Sequence, residues 1–177
     1  PLADHVFHSD LGHIRQQFGD SGDWVPPVRE QEGSHFPVLM GGCCGATRDV
    51  IVELQGFDVF APDGGEDNDL AIRARAAGYP AYTCKSTRIG YRQKTNRASQ
   101  RRAAKTAARA HVLNAKRHRL WQHSHLRRWW IHLAKTVAAA VMMIARPRSR
   151  HDWDAVKTRA AVALTVAATD LRTMVTP

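Results

Sequence analysis

Gly64-Gly65-Glu66-Asp67-Asn68-Asp69-Leu70-Ala71-Ile72 sets three carboxylates within four residues, behind two glycines and ahead of an apolar stretch. Acidic side chains at a helix start are favoured by the macrodipole and by the unpaired N–H groups of the first turn. The stretch therefore predicts a helix that opens at the acidic cluster and runs to about residue 77, stopped by Gly78 and Pro80. On that reading the cluster is a cap with an acidic first turn. The glycines add another reading, because they let the backbone approach a ligand closely and take positive φ. A carboxylate fixed at such a turn is placed to take the proton of a bound hydroxyl.

Working outward, Phe36-Pro37-Val38-Leu39-Met40 is a short apolar run closed by Gly41-Gly42, which reads as a buried strand ending in a turn. Residues 47–54 read as a helix with Thr47 as its cap, Val50, Ile51 and Leu54 on one face and Gly56 after its end. Residues 57–65 are a Gly/Asp/Pro loop, and 81–91 alternate weakly, as one more strand would. Residues 1–35 are polar and punctuated by turns, with a short helix expected near 11–18. From about residue 98 the pattern is helical with little interruption to 145. A turn over 146–150 follows, then a last helix to about 174, capped by Ser149 or Asp152.

Taken in order, these motifs carry a resemblance. Gly41-Gly42-Cys43-Cys44-Gly45-Ala46-Thr47-Arg48, then Leu54-Gln55-Gly56-Phe57-Asp58, then Gly65-Glu66-Asp67-Asn68-Asp69-Leu70-Ala71-Ile72-Arg73, then Ala77-Gly78-Tyr79 resembles the acceptor-side half of a GT-A glycosyltransferase of the inverting family 2 type. The Gly-Gly-Glu-Asp stretch is also similar to a segment of β-1,4-galactosyltransferases. The stretch His111-Val112-Leu113-Asn114-Ala115-Lys116-Arg117-His118 is similar to the basic helix that commonly follows the catalytic domain. The resemblance implies an α/β fold, the carboxy-terminal part of a GT-A domain over residues 1–95, followed by a basic helical hairpin over 96–177. It implies transfer of a sugar from a nucleotide-sugar donor to a glycan or lipid-linked acceptor hydroxyl with inversion, as in cell-envelope or polysaccharide synthesis.

Asp67 would then be the catalytic base. Glu66, Asp69, Gly41, Gly42 and Trp24 would border the acceptor, Glu66 and Asp69 alternatively ordering the helix start. Arg73, one turn beyond Asp69, would face the donor phosphates with Tyr91 and Arg92. Tyr91 stands near the place where the family often carries a His. The family's metal-binding DxD follows an apolar strand upstream of the acceptor-side half, and no such strand precedes Phe36. Asp67-Asn68-Asp69 and Asp152-Trp153-Asp154 share the spelling but stand at helix starts. No metal ligand is assigned in this chain; Mg or Mn would belong to a full-length enzyme whose donor-binding half lies upstream of Pro1, and this piece alone is expected to be inactive.

Composition bounds these expectations. The 177 residues are 44% hydrophobic and 24% charged, ordinary for a globular chain and not for a disordered one. The net charge of +10 hides an asymmetry: residues 1–90 carry 7 basic and 13 acidic side chains, residues 91–177 carry 19 basic and 3 acidic. Cys43, Cys44 and Cys84 form neither a disulfide framework nor a CxxC zinc signature. His5, His8 and His13 lack partners at a recognised ligand spacing and read as loop histidines.

Leu126, Trp129, Trp130, Leu133, Val137, Val141 and Ile144 recur at three- and four-residue steps, as one helix face would, and Val156, Ala160, Leu164, Ala167, Ala168 and Leu171 offer a seam to pack against it. One reading of this region is a hairpin packed on the preceding domain with a solvated basic face; another, not exclusive of it, is an anionic membrane surface, which the tryptophan pair beside Arg127 and Arg128 suits. The alternative function is accordingly a non-catalytic basic module that engages such a surface or nucleic acid. Nucleic acid is the less favoured partner, because aromatics do not interleave with the charges of residues 97–119. The expected location is cytoplasmic, peripheral at the inner face of the cell membrane.

Overall fold

The computed structural model describes residues 28–31, 34–39, 43–84, 96–145 and 150–175. Two short strands, β1 (Val28–Glu30) and β2 (Tyr82–Cys84), pair antiparallel with Glu30 opposite Tyr82. The rest of the ordered structure is helical: α1 (Arg48–Glu53), α2 (Glu66–Ala76), α3 (Arg97–Arg117), α4 (Trp129–Ala145) and α5 (Arg150–Val175), with two 3-10 turns at Trp121–His123 and His125–Arg128.

α2 forms where the acidic turn predicts it. Glu66, Asp67 and Asp69 occupy its first turn, Leu70, Ala71 and Ile72 are buried, and Gly78 ends it with φ 89° while Tyr79 N–H returns to Ala74 C=O at 2.9 Å. α1 is one and a half turns. Thr47 stands at its N-cap without a side-chain bond, and Gln55 and Gly56, both at positive φ, unwind it. α3 starts on Asn96, whose side chain accepts from the N–H groups of Ala98 and Ser99.

α5 lies between α3 and α4 and packs on both. Ala108, Val112 and Val166 form the centre of the core, covered by Trp121, Leu126, Trp129 and Val162. Charges fasten the ends: Asp154 of α5 pairs with Arg97 and Arg101, and Asp170 takes Lys116 Nζ at 2.6 Å and accepts from Trp129 Nε1 at 3.3 Å. Two of the three acidic side chains of the basic half thus hold α5 against α3.

Four expectations are corrected. The α/β fold, the carboxy-terminal part of a GT-A domain, is not what the chain forms: it is a helical protein, and among the described residues its sheet is a single antiparallel pair of three-residue strands. The apolar run at 36–39 is irregular. Pro37, buried, has no N–H for a ladder, and the Gln31 side-chain amide takes both backbone groups of Val38 at 2.9 Å, where a neighbouring strand would have bonded. The helical stretch expected with little interruption from 98 to 145 is interrupted over 118–128, where Arg119 turns left-handed at φ 58° and two 3-10 turns precede α4.

The apolar stripe also divides. Trp129 and Leu133 turn inward with buried Thr136 and Met143, while Trp130, Val137, Val141 and Ile144 stay exposed. On α5 the seam is Val156, Ala163, Val166, Ala167 and Asp170, and Leu164, Ala168 and Leu171 face out. The helix expected near 11–18, His5, His8 and His13 lie outside the described residues.

Candidate active site

The acidic turn rests on α3. Gly65, the N-cap of α2, accepts at its carbonyl from Asn114 Nδ2 at 2.8 Å. A Cβ on Gly65 would stand 2.7 Å from the Ala110 methyl and 3.3 Å from Pro62 O, so only glycine lets the turn come this close. Gly64 takes φ 72° beside it. Loop and helix together frame a cleft of about 290 Å³, with Pro62 and Asp63 on one wall and Thr106, Arg109 and Leu113 on the other.

The three carboxylates have separate environments. Asp69 has no exposed side chain: Arg73 Nε reaches its Oδ2 at 2.8 Å, His118 Nε2 meets Oδ1 at 2.7 Å, and Arg117 stands 3.7 Å from the same oxygen. A carboxylate only accepts, so the imidazole and guanidinium donate. Glu66 is exposed and folds back to accept at 2.8 Å from Gly65 N–H, which also donates to Pro62 C=O at 2.9 Å. Asp67 is partly exposed, with Oδ1 accepting from Asn68 N–H at 2.7 Å.

Arg73 uses its guanidinium within the fold. Besides Asp69, it donates to the carbonyls of Leu54 and, at 2.8 Å, Gly56, which satisfies the left-handed end of α1. Asp58, in the loop after α1, accepts from Phe60 N–H and pairs with Arg117, and these two partners hold its carboxyl below the usual carboxylate range. Helix end, loop and acidic turn are thus drawn onto the last turns of α3 through Asn114, Arg117 and His118.

Of the residues expected at the site, Glu66, Asp67, Asp69 and Arg73 stand together on the first two turns of α2. Asp69 and Arg73 face inward and are consumed by the fold, and Glu66 and Asp67 remain accessible. Gly41, Gly42, Trp24, Tyr91 and Arg92 lie outside the described residues. Sequence reasoning quoted the segment His111 to His118 but gave Asn114 and His118 no role. Their signal is the i,i+4 spacing that places both on one side of α3.

In each of the two DxD spellings the second aspartate is engaged within the fold. Asp69 is already enclosed by three cationic or imidazole groups, and Asp154 is paired with Arg97 and Arg101. Among the described residues no group of three or more His, Cys, Asp or Glu is placed to hold a metal ion. No family model, no curated protein and no solved structure matches the chain.

Proposed function

We propose that the acidic turn serves sugar transfer from a nucleotide-sugar donor to an acceptor hydroxyl, with inversion at the anomeric carbon, in the making of cell-envelope or polysaccharide glycans. The observation that carries the reading is the division of labour within one helical turn. Asp69 is spent on holding the turn to α3, which leaves Asp67 as a partly exposed carboxylate on a rigidly docked backbone. A base needs that combination of access and fixed position. Asp67 takes the proton of the acceptor hydroxyl as its oxygen attacks the anomeric carbon and the nucleoside diphosphate departs. The proposal rests on this turn and its order of motifs, not on an α/β sheet, and no step in it passes through a metal.

A second reading has an observation of its own. The buried Asp69 network gives the acidic turn a purely structural purpose, which fits a non-catalytic helical module.

Asp67→Asn separates the two. The amide is nearly isosteric and cannot take the proton, so in the full natural polypeptide, screened across nucleotide sugars, nucleotide release coupled to acceptor glycosylation is expected to fall by about 10²–10⁴-fold with the fold retained. Turnover near that of the parent sinks Asp67 as base. No donor consumption by a folded parent polypeptide favours the module.

A further inference from the structure

α4 presents the wrong side to water. Ten of its described side chains are exposed, and eight of these are apolar, among them Trp130, Ile131, Val137, Val141, Met142 and Ile144; only His132 and Lys135 are polar. Its inward side is already filled against α5 by Trp129, Thr136 and Met143. A surface helix ordinarily reverses this distribution, and a contiguous apolar face of this kind marks a contact surface.

We propose that α4 lies in the plane of an anionic bilayer surface, its outer face sunk among the headgroups and upper acyl chains. Its 17 residues extend about 26 Å, less than the hydrocarbon thickness of about 30 Å. No helix among the described residues is long and apolar enough to cross a membrane, and Lys135 stands near the middle of α4, so the helix lies flat. Charge selects the occupant. No Asp or Glu occurs between Asp69 and Asp152, so α4 and the turns that lead into it carry cations and no carboxylate. Arg127 and Arg128 are exposed beside Trp130 at its start, and His132 and Lys135 run along its edge.

Across the cleft between α4 and α5, Arg159 of α5 lines the same rim as Lys135, and neither cation has an ion-pair partner among the described residues. An apolar strip edged by unpaired cations matches anionic lipid headgroups over acyl chains. It matches a second copy poorly, because two such faces would oppose like charges. The inference does not depend on sugar transfer, since it uses no residue of the acidic turn.

The test is flotation of the full chain with phosphatidylcholine vesicles, with and without phosphatidylglycerol, at low and high salt, together with light scattering of the protein alone. The parent is expected to float with the anionic vesicles and to release in high salt. The variant Val137→Asp/Val141→Asp, at two exposed positions, is expected to keep its helical circular dichroism and lose about tenfold or more in partitioning. Val59→Asp, at a still more solvent-facing loop position, is expected to bind as the parent does. The proposal is overturned if the parent ignores anionic vesicles, if the double variant floats equally well, or if the parent is a dimer that the double variant makes monomeric, which would put a second copy on α4.

Discussion

Asp69 and Asp67 stand two positions apart on one helical turn and differ in what surrounds them. Asp69 is enclosed, with Arg73 on one oxygen and His118 on the other. Asp69→Ala would strand both donors in a part-buried site, and we expect a loss of about 3–5 kcal/mol in unfolding free energy, read from urea denaturation. Asp67→Asn, in contrast, should keep the fold and cost no more than about 1 kcal/mol, the worth of one first-turn charge at a helix N-terminus. Part of this was legible. Arg73 was expected one turn from Asp69, and the i,i+4 step brings them to 2.8 Å. Its assignment to donor phosphates arose because sequence spacing cannot show the carbonyls of Leu54 and Gly56 waiting 19 and 17 residues upstream. The same distance hid His118, whose partner lies 49 residues away.

Between elements, the joint that matters is α2 against α3, and its tolerance is set at Gly65. The backbone there is at φ −144°, open to any residue, so the demand for glycine is one of space alone. Gly65→Ala places a methyl against the Ala110 methyl and Pro62 O. Neither can swing aside, and a cost of about 1–3 kcal/mol in the denaturation midpoint analysis is expected. The helices were readable from sequence where their ends carry chemistry: acidic residues and Gly78 bound α2. Phe36-Pro37-Val38-Leu39 misled because hydrophobicity argued for a strand while Gln31, supplying both of the bonds a neighbour would make, removed the need for one. The break at Arg119 carried neither glycine nor proline to announce it.

Over the whole molecule, pH acts through a junction that joins the amino-terminal segment to the helices. His111 of α3 bonds Ser124 Oγ at 2.8 Å and packs against Phe36 and His125, while His35 stacks on His123 at 3.8 Å. Burial, and after it the nearby His125, push the His111 pKa below its ordinary value. The unfolded chain therefore takes up this proton near pH 6.5, and the folded chain does so only at lower pH. Stability contributed by neutral His111 is complete above pH 6.5 and is lost as pH falls through that window. Urea midpoints compared between about pH 7.5 and about pH 5.5 should drop in the parent and drop less in His111→Gln. The composition gave the division into an acidic and a basic half, and the fold joins them with Asn114 reaching Gly65 and His118 reaching Asp69, each across 49 residues. Such contacts close a long loop before they return any energy. In a growing polypeptide, Gly65 therefore lacks its Asn114 partner and Asp69 its His118 partner until the end of α3 has left the ribosome and docked, so the acidic turn is anchored only after 49 further residues have been made.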